Sequence, residues 1–195
     1  MFVLYMAAGL STVSGASDAQ PCAIDRQAAL ALDEQAFDQG PDGWRKLANP
    51  DCFAAAADLI REWRAAHPGH GAMLRWHEGQ MRAAAGQYDA AAPLFEAARA
   101  GPNEWNIDTG WNAYVDASIA FVRRDLAALT AARTRLATLP PPPLQPQAAP
   151  AAKAEPLPES WPPNLDVIDG LIACFGESYA DAMNPACRAS GSTSR

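Results

Sequence analysis

Residues Met73 to Gly101 read MLRWHEGQMRAAAGQYDAAAPLFEAARAG, and here apolar spacing, turn residues and a terminator agree on one unit. Apolar positions recur at helical steps on both sides of Ala85 and Gly86, a small residue and a glycine suited to a tight turn. Gly101 and Pro102 then close the second helix. The stretch predicts a pair of antiparallel helices, and the rest of the chain is read as stacking on that pair, lengthening it or tethering to it.

Upstream, CAIDRQAALALDEQAF (22–37) is broadly helical and ends at Gly40, Pro41 and Gly43, with Trp44 to Ala48 adding a short turn. Asn49 and Pro50 read as an N-cap and a first-turn proline that open a helix through FAAAADLIREWRAAH (53–67). Downstream, NEWNIDTG (103–110) is a polar loop. A helix is expected from Trp111 to Arg124, with Tyr114, Val115, Ser118, Ile119 and Val122 as its apolar stripe, and another from Asp125 to Leu139. Pro140 to Pro163 holds ten of the seventeen prolines. Such density forbids helix and ladder hydrogen bonds, so residues 140–163 are expected to run extended at about 3.1 Å per residue as a linker that could cross the domain. Beyond it, Asn164 reads as the cap of LDVIDGLIACF (165–175), too short to stand alone and therefore docked on the preceding helices. Residues 188–195, RASGSTSR, are expected to be disordered.

Laid over one another, the helix pairs show self-similarity. Tyr88, Ala91, Phe95 and Ala98 step by three, four and three, with Gly79 nine residues earlier. Phe53, Ala56, Ile60 and Trp63 repeat the steps, with Pro68 five residues on. This ladder resembles the tetratricopeptide repeat (TPR), in which small residues of helix A face small residues of helix B. The resemblance is good over 73–102, partial over 53–68 and weak over 111–141, where Ala117, Leu126, Leu129, Leu136 and Pro141 fit but Arg133 stands where a large buried residue belongs. The fold expected is all-α: a TPR-like array of about three antiparallel helix pairs over residues 20–139, with a proline-rich linker and a docked C-terminal helix over 164–187.

The chain of 195 residues is 49% hydrophobic, much of it alanine, which suits close helix packing. A net charge of −7 and a pI near 4.9 argue against nucleic-acid or anionic-membrane surfaces and favour a neutral or cationic partner. The apolar run Phe2 to Leu10, followed by small residues, has the pattern of a signal peptide over 1–19, without a basic n-region and too short to span a bilayer. Cys22, Cys52, Cys174 and Cys187 are an even set, read as two disulfides of an exported, periplasmic or secreted protein. The short separation favours Cys174 with Cys187, leaving Cys22 with Cys52.

The resemblance implies a ligand groove lined by the A helices. Carried over residue by residue, it places Met73, Trp76, Gln80 and Ala83, then Trp111, Tyr114, Ser118 and Phe121, on that face. Trp76, Gln80, Trp111, Tyr114 and Ser118 are the candidate contacts for a peptide, protein or glycan. The competing reading is that the C-terminal helix fills the groove as internal packing. HEGQ at His77 lacks the second histidine of a zinc motif, and His67 and His70 read as a helix end and a loop. Asp166 and Asp169 share a helix turn, as paired catalytic carboxylates do, but read as a dipole partner and a solvated face. The expected role is a non-enzymatic binding or scaffolding module of a bacterial envelope without a cofactor. The alternative is an envelope hydrolase built on His77, Glu78 and a carboxylate from another helix.

Overall fold

The computed structural model describes residues 22–101, 109–141 and 161–192. The leader pattern, most of the polar loop and residues 142–160 of the proline-rich segment lie outside that range. Among the described residues the secondary structure is helical, with no strand. The elements are α1 (Arg26–Leu30), α2 (Glu34–Gln39), a 3₁₀ turn (Trp44–Leu47), α3 (Phe53–Ala66), α4 (Ala72–Ala84), α5 (Tyr88–Glu96), α6 (Trp111–Val122), α7 (Leu126–Ala137), α8 (Leu165–Ala173), α9 (Tyr179–Ala182) and α10 (Pro185–Ser192). Sequence neighbours pack as pairs. α4 lies against α3 and α5, α6 against α5 and α7, and α8 against α7 and α10.

The pair read first is present as α4 and α5. Gly86, at φ +74°, makes the turn between them in a region where a side chain would be strained. The close crossing follows from Gly79, where an added Cβ would stand 2.8 Å from the Phe95 ring, and from Ala91, which is fully buried. Two ion pairs join α3 to α4: Arg64 with Glu78, and Arg82 with Asp58 at 2.7 Å.

Several local details depart from the sequence reading. The single helix expected over 22–37 is two, because Asp25 and Asp33 each accept from a backbone N–H three residues on, Ala28 and Ala36, and so start separate helices. Asn49 does not cap α3. Its carbonyl accepts from the Cys52 N–H at 2.9 Å, forming a turn, and α3 begins only at Phe53. Asn164 precedes α8 at φ +64° but gives no side-chain cap. The end expected to be disordered from residue 188 is helical as far as Ser192. Its composition hides two anchors: Cys187 is bridged to Cys174, and Gly191 is so close to α8 that a Cβ there would lie 2.6 Å from the Asp169 carbonyl.

The apolar interior forms two clusters. The first gathers Phe37, Trp44, Leu47, Leu59, Ile60, Trp63 and Leu74 around the Cys22–Cys52 bridge, with the Phe37 and Trp63 rings stacked at 5.1 Å. The second holds Trp76, Ala83, Ala91, Phe95, Val115, Phe121, Leu129, Leu136, Ile168, Leu171 and Tyr179. α4 feeds both, Leu74 into the first and Trp76 and Ala83 into the second. Arg133, the misfit in the repeat pattern, is explained here: it faces α8 and donates from Nε to Asp169 Oδ1 at 2.6 Å. The side chain is part-exposed rather than buried, and its charge is met by a carboxylate only 5% exposed. The proline-rich segment leaves and re-enters at one place, since the Trp161 indole donates to the Leu139 carbonyl at 3.0 Å. Its ends therefore meet, and it does not have to reach across the domain.

Candidate functional site

α4 carries Trp76 and Gln80 and α6 carries Trp111, Tyr114 and Ser118. Trp76 is the centre of an aromatic group, with ring centroids 4.7 Å from Phe95, 4.9 Å from Trp111 and 5.0 Å from Tyr114. The Trp111 indole donates to the Ala98 carbonyl at 2.8 Å, which fixes its ring against α5. Ser118 donates to the Tyr114 carbonyl one turn earlier at 3.2 Å. Trp76, Tyr114 and Ser118 are buried at 3%, 5% and 0% exposure, while Gln80 and Trp111 are half-buried. Most of these side chains are therefore covered.

The cover is the C-terminal segment. α9 lays Tyr179 between Phe95 and Phe121, at ring separations of 6.2 and 5.8 Å, and the Tyr179 backbone N–H donates to the Tyr88 hydroxyl at 3.1 Å. Phe175 meets Phe121 edge-on at 5.7 Å. Arg124 clasps the join: its guanidinium donates to the carbonyls of Phe175 at 2.7 Å and Glu177 at 3.0 Å while lying over the rings of Tyr88, Phe121 and Phe175. That residue sits at φ +57°, unusual for arginine, in the left-handed cap that ends α6, where the Asp125 N–H donates to the Ala120 carbonyl at 2.9 Å. Burial pushes the Tyr114 phenol up to about 12, with the Asp166 charge adding to it and Arg188 and Gln80 opposing. Burial likewise pushes Tyr179 far above the ordinary tyrosine range, against smaller opposing effects of Ser118, Gln80 and Arg188. Both hydroxyls stay protonated at any physiological pH.

The residues of the hydrolase alternative are divided between two sides of α4. His77 Nδ1 is 2.8 Å from Asp38 Oδ1, whereas Glu78, 4% exposed, pairs with Arg64. A carboxylate from another helix does meet His77, but it is one the sequence did not nominate. Asp38 Oδ1 also accepts from the Trp44 indole at 2.9 Å, and Oδ2 from Gln39 at 2.7 Å. Burial would raise the Asp38 pKa, but the hydrogen bonds from His77 and Trp44, the His77 charge and the Gln39 amide prevail and lower it to about 2. His67 stacks on Trp63 at 4.0 Å and His70 faces Glu34 at 3.3 Å. Among the described residues no group of three His, Cys, Asp or Glu side chains is placed to hold a metal ion. Asp166 and Asp169 do not converge: Asp169 serves Arg133, and Asp166 lies 3.6 Å from Arg188.

Tyr179 and Arg124 escaped the sequence reading. A signal for the first exists in Ser178-Tyr-Ala-Asp181: the Ser178 hydroxyl accepts from the Asp181 N–H at 3.1 Å, an N-cap visible in the sequence. Arg124 had none, because its partners lie more than fifty residues away. A surface hollow of about 690 Å³ lies between α7 and α8, with Trp161, Pro162, Leu165 and Ile172 along it and the Arg133–Asp169 pair in its wall. No protein-family model matches the chain, and no curated protein or solved structure is significantly similar to it.

Proposed function

We propose that this chain is an exported, TPR-like binding or scaffolding module that recognises a peptide or protein segment through the A-helix face of α4 and α6. The observation that supports the reading is that residues 175–182 of its own chain pack beside this face, with Tyr179 between Phe95 of α5 and Phe121 of α6 and its backbone N–H on the Tyr88 hydroxyl. An aromatic side chain on a single helical turn, one backbone N–H to a tyrosine hydroxyl and an arginine clasp form a mode of recognition that another chain can reproduce. Two disulfides favour an oxidising compartment, and among the described residues no helix is long and apolar enough to cross a membrane. The hydrolase reading gains little support, since His77 and Glu78 are engaged by partners on different elements.

A second reading, that the segment is permanent packing in a structural protein, is favoured by the burial of Trp76 and Tyr179 at 3% and 2% exposure. ¹⁹F NMR of 5-fluorotryptophan-labelled protein separates the two. In Tyr179→Ala and Arg124→Gln, both oxidised, the binding reading expects the Trp76 resonance to shift to a solvent-accessible position while helicity is retained. A Trp76 signal that moves only with global unfolding would favour permanent packing.

A further inference from the structure

The cover is fastened at three points along its length. It continues from α8 at Cys174, which caps that helix. Its middle is held by Tyr179 against Phe95 and Phe121 and by fully buried Ala182. Its far end is held by Cys187, in the first turn of α10, which is bridged back to Cys174 across a separation of 13 residues. Residues 175–182 therefore lie wholly inside the loop that this bridge closes. α10 itself, PACRASGS, carries no large apolar side chain and packs on α8 through close backbone approach at Gly170 and Gly191. The bridge is thus the covalent hold on the far end of the cover. The Cys22–Cys52 bridge belongs to the other apolar cluster, where Cys52 is 1% exposed, and encloses no part of the cover.

Closing a loop of that length favours the closed arrangement by about a hundredfold over the unbridged chain. Breaking it is thiol–disulfide exchange. Cys174 is half-buried and Cys187 only 9% exposed, so an external thiolate meets the Cys174 sulfur first. A new S–S bond forms to Cys174 Sγ, the Cys174–Cys187 bond breaks, and its electron pair leaves on Cys187 Sγ. There the N-terminal end of the α10 dipole favours the negative charge until a proton arrives from solvent. The second thiol of a dithiol reductant then attacks the reductant's own sulfur in the mixed disulfide and releases Cys174, which is protonated in turn. Two cysteine sulfurs are reduced, and the dithiol becomes a disulfide.

We infer that the Cys174–Cys187 bridge is a redox latch on the cover: a dithiol reductant opens it and frees residues 175–182 from α5 and α6, and reoxidation closes it. The latch rests on the recognition reading for its purpose, as the regulation of that site, but its opening is measured without any partner.

The full chain is equilibrated with graded ratios of reduced to oxidised dithiothreitol. Alkylation and peptide mass spectrometry report which bridge is open, and amide exchange is followed in the same samples. Reduction of Cys174–Cys187 is expected to speed exchange in 175–182 by about ten- to a hundredfold while α4 to α6 stay protected, and reoxidation should restore slow exchange. Cys22→Ser with Cys52→Ser should keep this response. Cys174→Ser with Cys187→Ser should exchange fast in 175–182 at every ratio. Exchange in 175–182 that is unchanged once Cys174–Cys187 is reduced, that speeds only together with α4 to α6, or that still responds to dithiothreitol in Cys174→Ser with Cys187→Ser would each overturn the inference. A synthetic peptide of residues 175–182 added to the reduced chain tests the recognition reading separately: its failure to bind counts against that reading and leaves a latch that opens standing.

Discussion

Gly79 is the residue on which the helix pair depends. A methyl group there would meet the Phe95 ring at 2.8 Å, inside any ordinary contact, so Gly79→Ala should destabilise by about 1–3 kcal/mol through overpacking. Adding Phe95→Leu should recover part of the loss, and a denaturation double-mutant cycle measures the coupling. Ala91→Leu belongs to the same test from the opposite helix. Asp38 offers a pH-dependent test. Its folded pKa of about 2 lies below the ordinary 3.8, so its stabilisation is present above about pH 4 and is lost as pH falls through about 2. Unfolding free energy followed across that window should lose this part of its slope in Asp38→Asn, at a cost of order 2 kcal/mol at neutral pH. A wild-type and variant difference that stays constant with pH would contradict the assigned carboxylate network. Gly79 was legible in the sequence because the ladder that names it is local. The partnership of Asp38 with His77 was not, because it spans 39 residues and joins elements whose relative placement no local pattern fixes.

Among elements, α4 to α7 follow from period and breakers, with ends within a few residues of those expected. The first helix divided because two aspartates offered competing caps, and α10 formed because a disulfide and a glycine contact outweigh a composition that favours disorder. The cover was legible only as a possibility. Its docking rests on a four-residue helix and an arginine in a rare backbone conformation, and neither carries a periodic signal. Arg124→Ala removes two hydrogen bonds and three ring contacts, so it should destabilise by about 1–2 kcal/mol and speed amide exchange in 175–183 more than in α8. The Cys174–Cys187 bridge closes a short loop, 13 residues in separation. Replacing both cysteines with serine should lower stability by about 2–4 kcal/mol and release α10, leaving exchange in α3 unchanged.

At the scale of the molecule, α4 shares two apolar clusters, and the C-terminal segment returns to the face that the repeat pattern marks for recognition. The chain's own Tyr179 packs between Phe95 of α5 and Phe121 of α6, with its backbone N–H on the Tyr88 hydroxyl. Of the five residues nominated from the sequence, Trp111 and Tyr114 meet Trp76 ring to ring, and Trp76, Tyr114 and Ser118 are buried while Gln80 and Trp111 are half-buried. No local reading of α4 and α6 could supply that, since an open groove and a filled one need the same aromatic spacing. Hydrogen–deuterium exchange of the wild-type oxidised chain, resolved by peptide, tests the central claim most directly. Residues 175–182 should exchange slowly, within the range of α4 and α6; exchange there at the rate of an unstructured peptide, with α4 and α6 still protected, would contradict it.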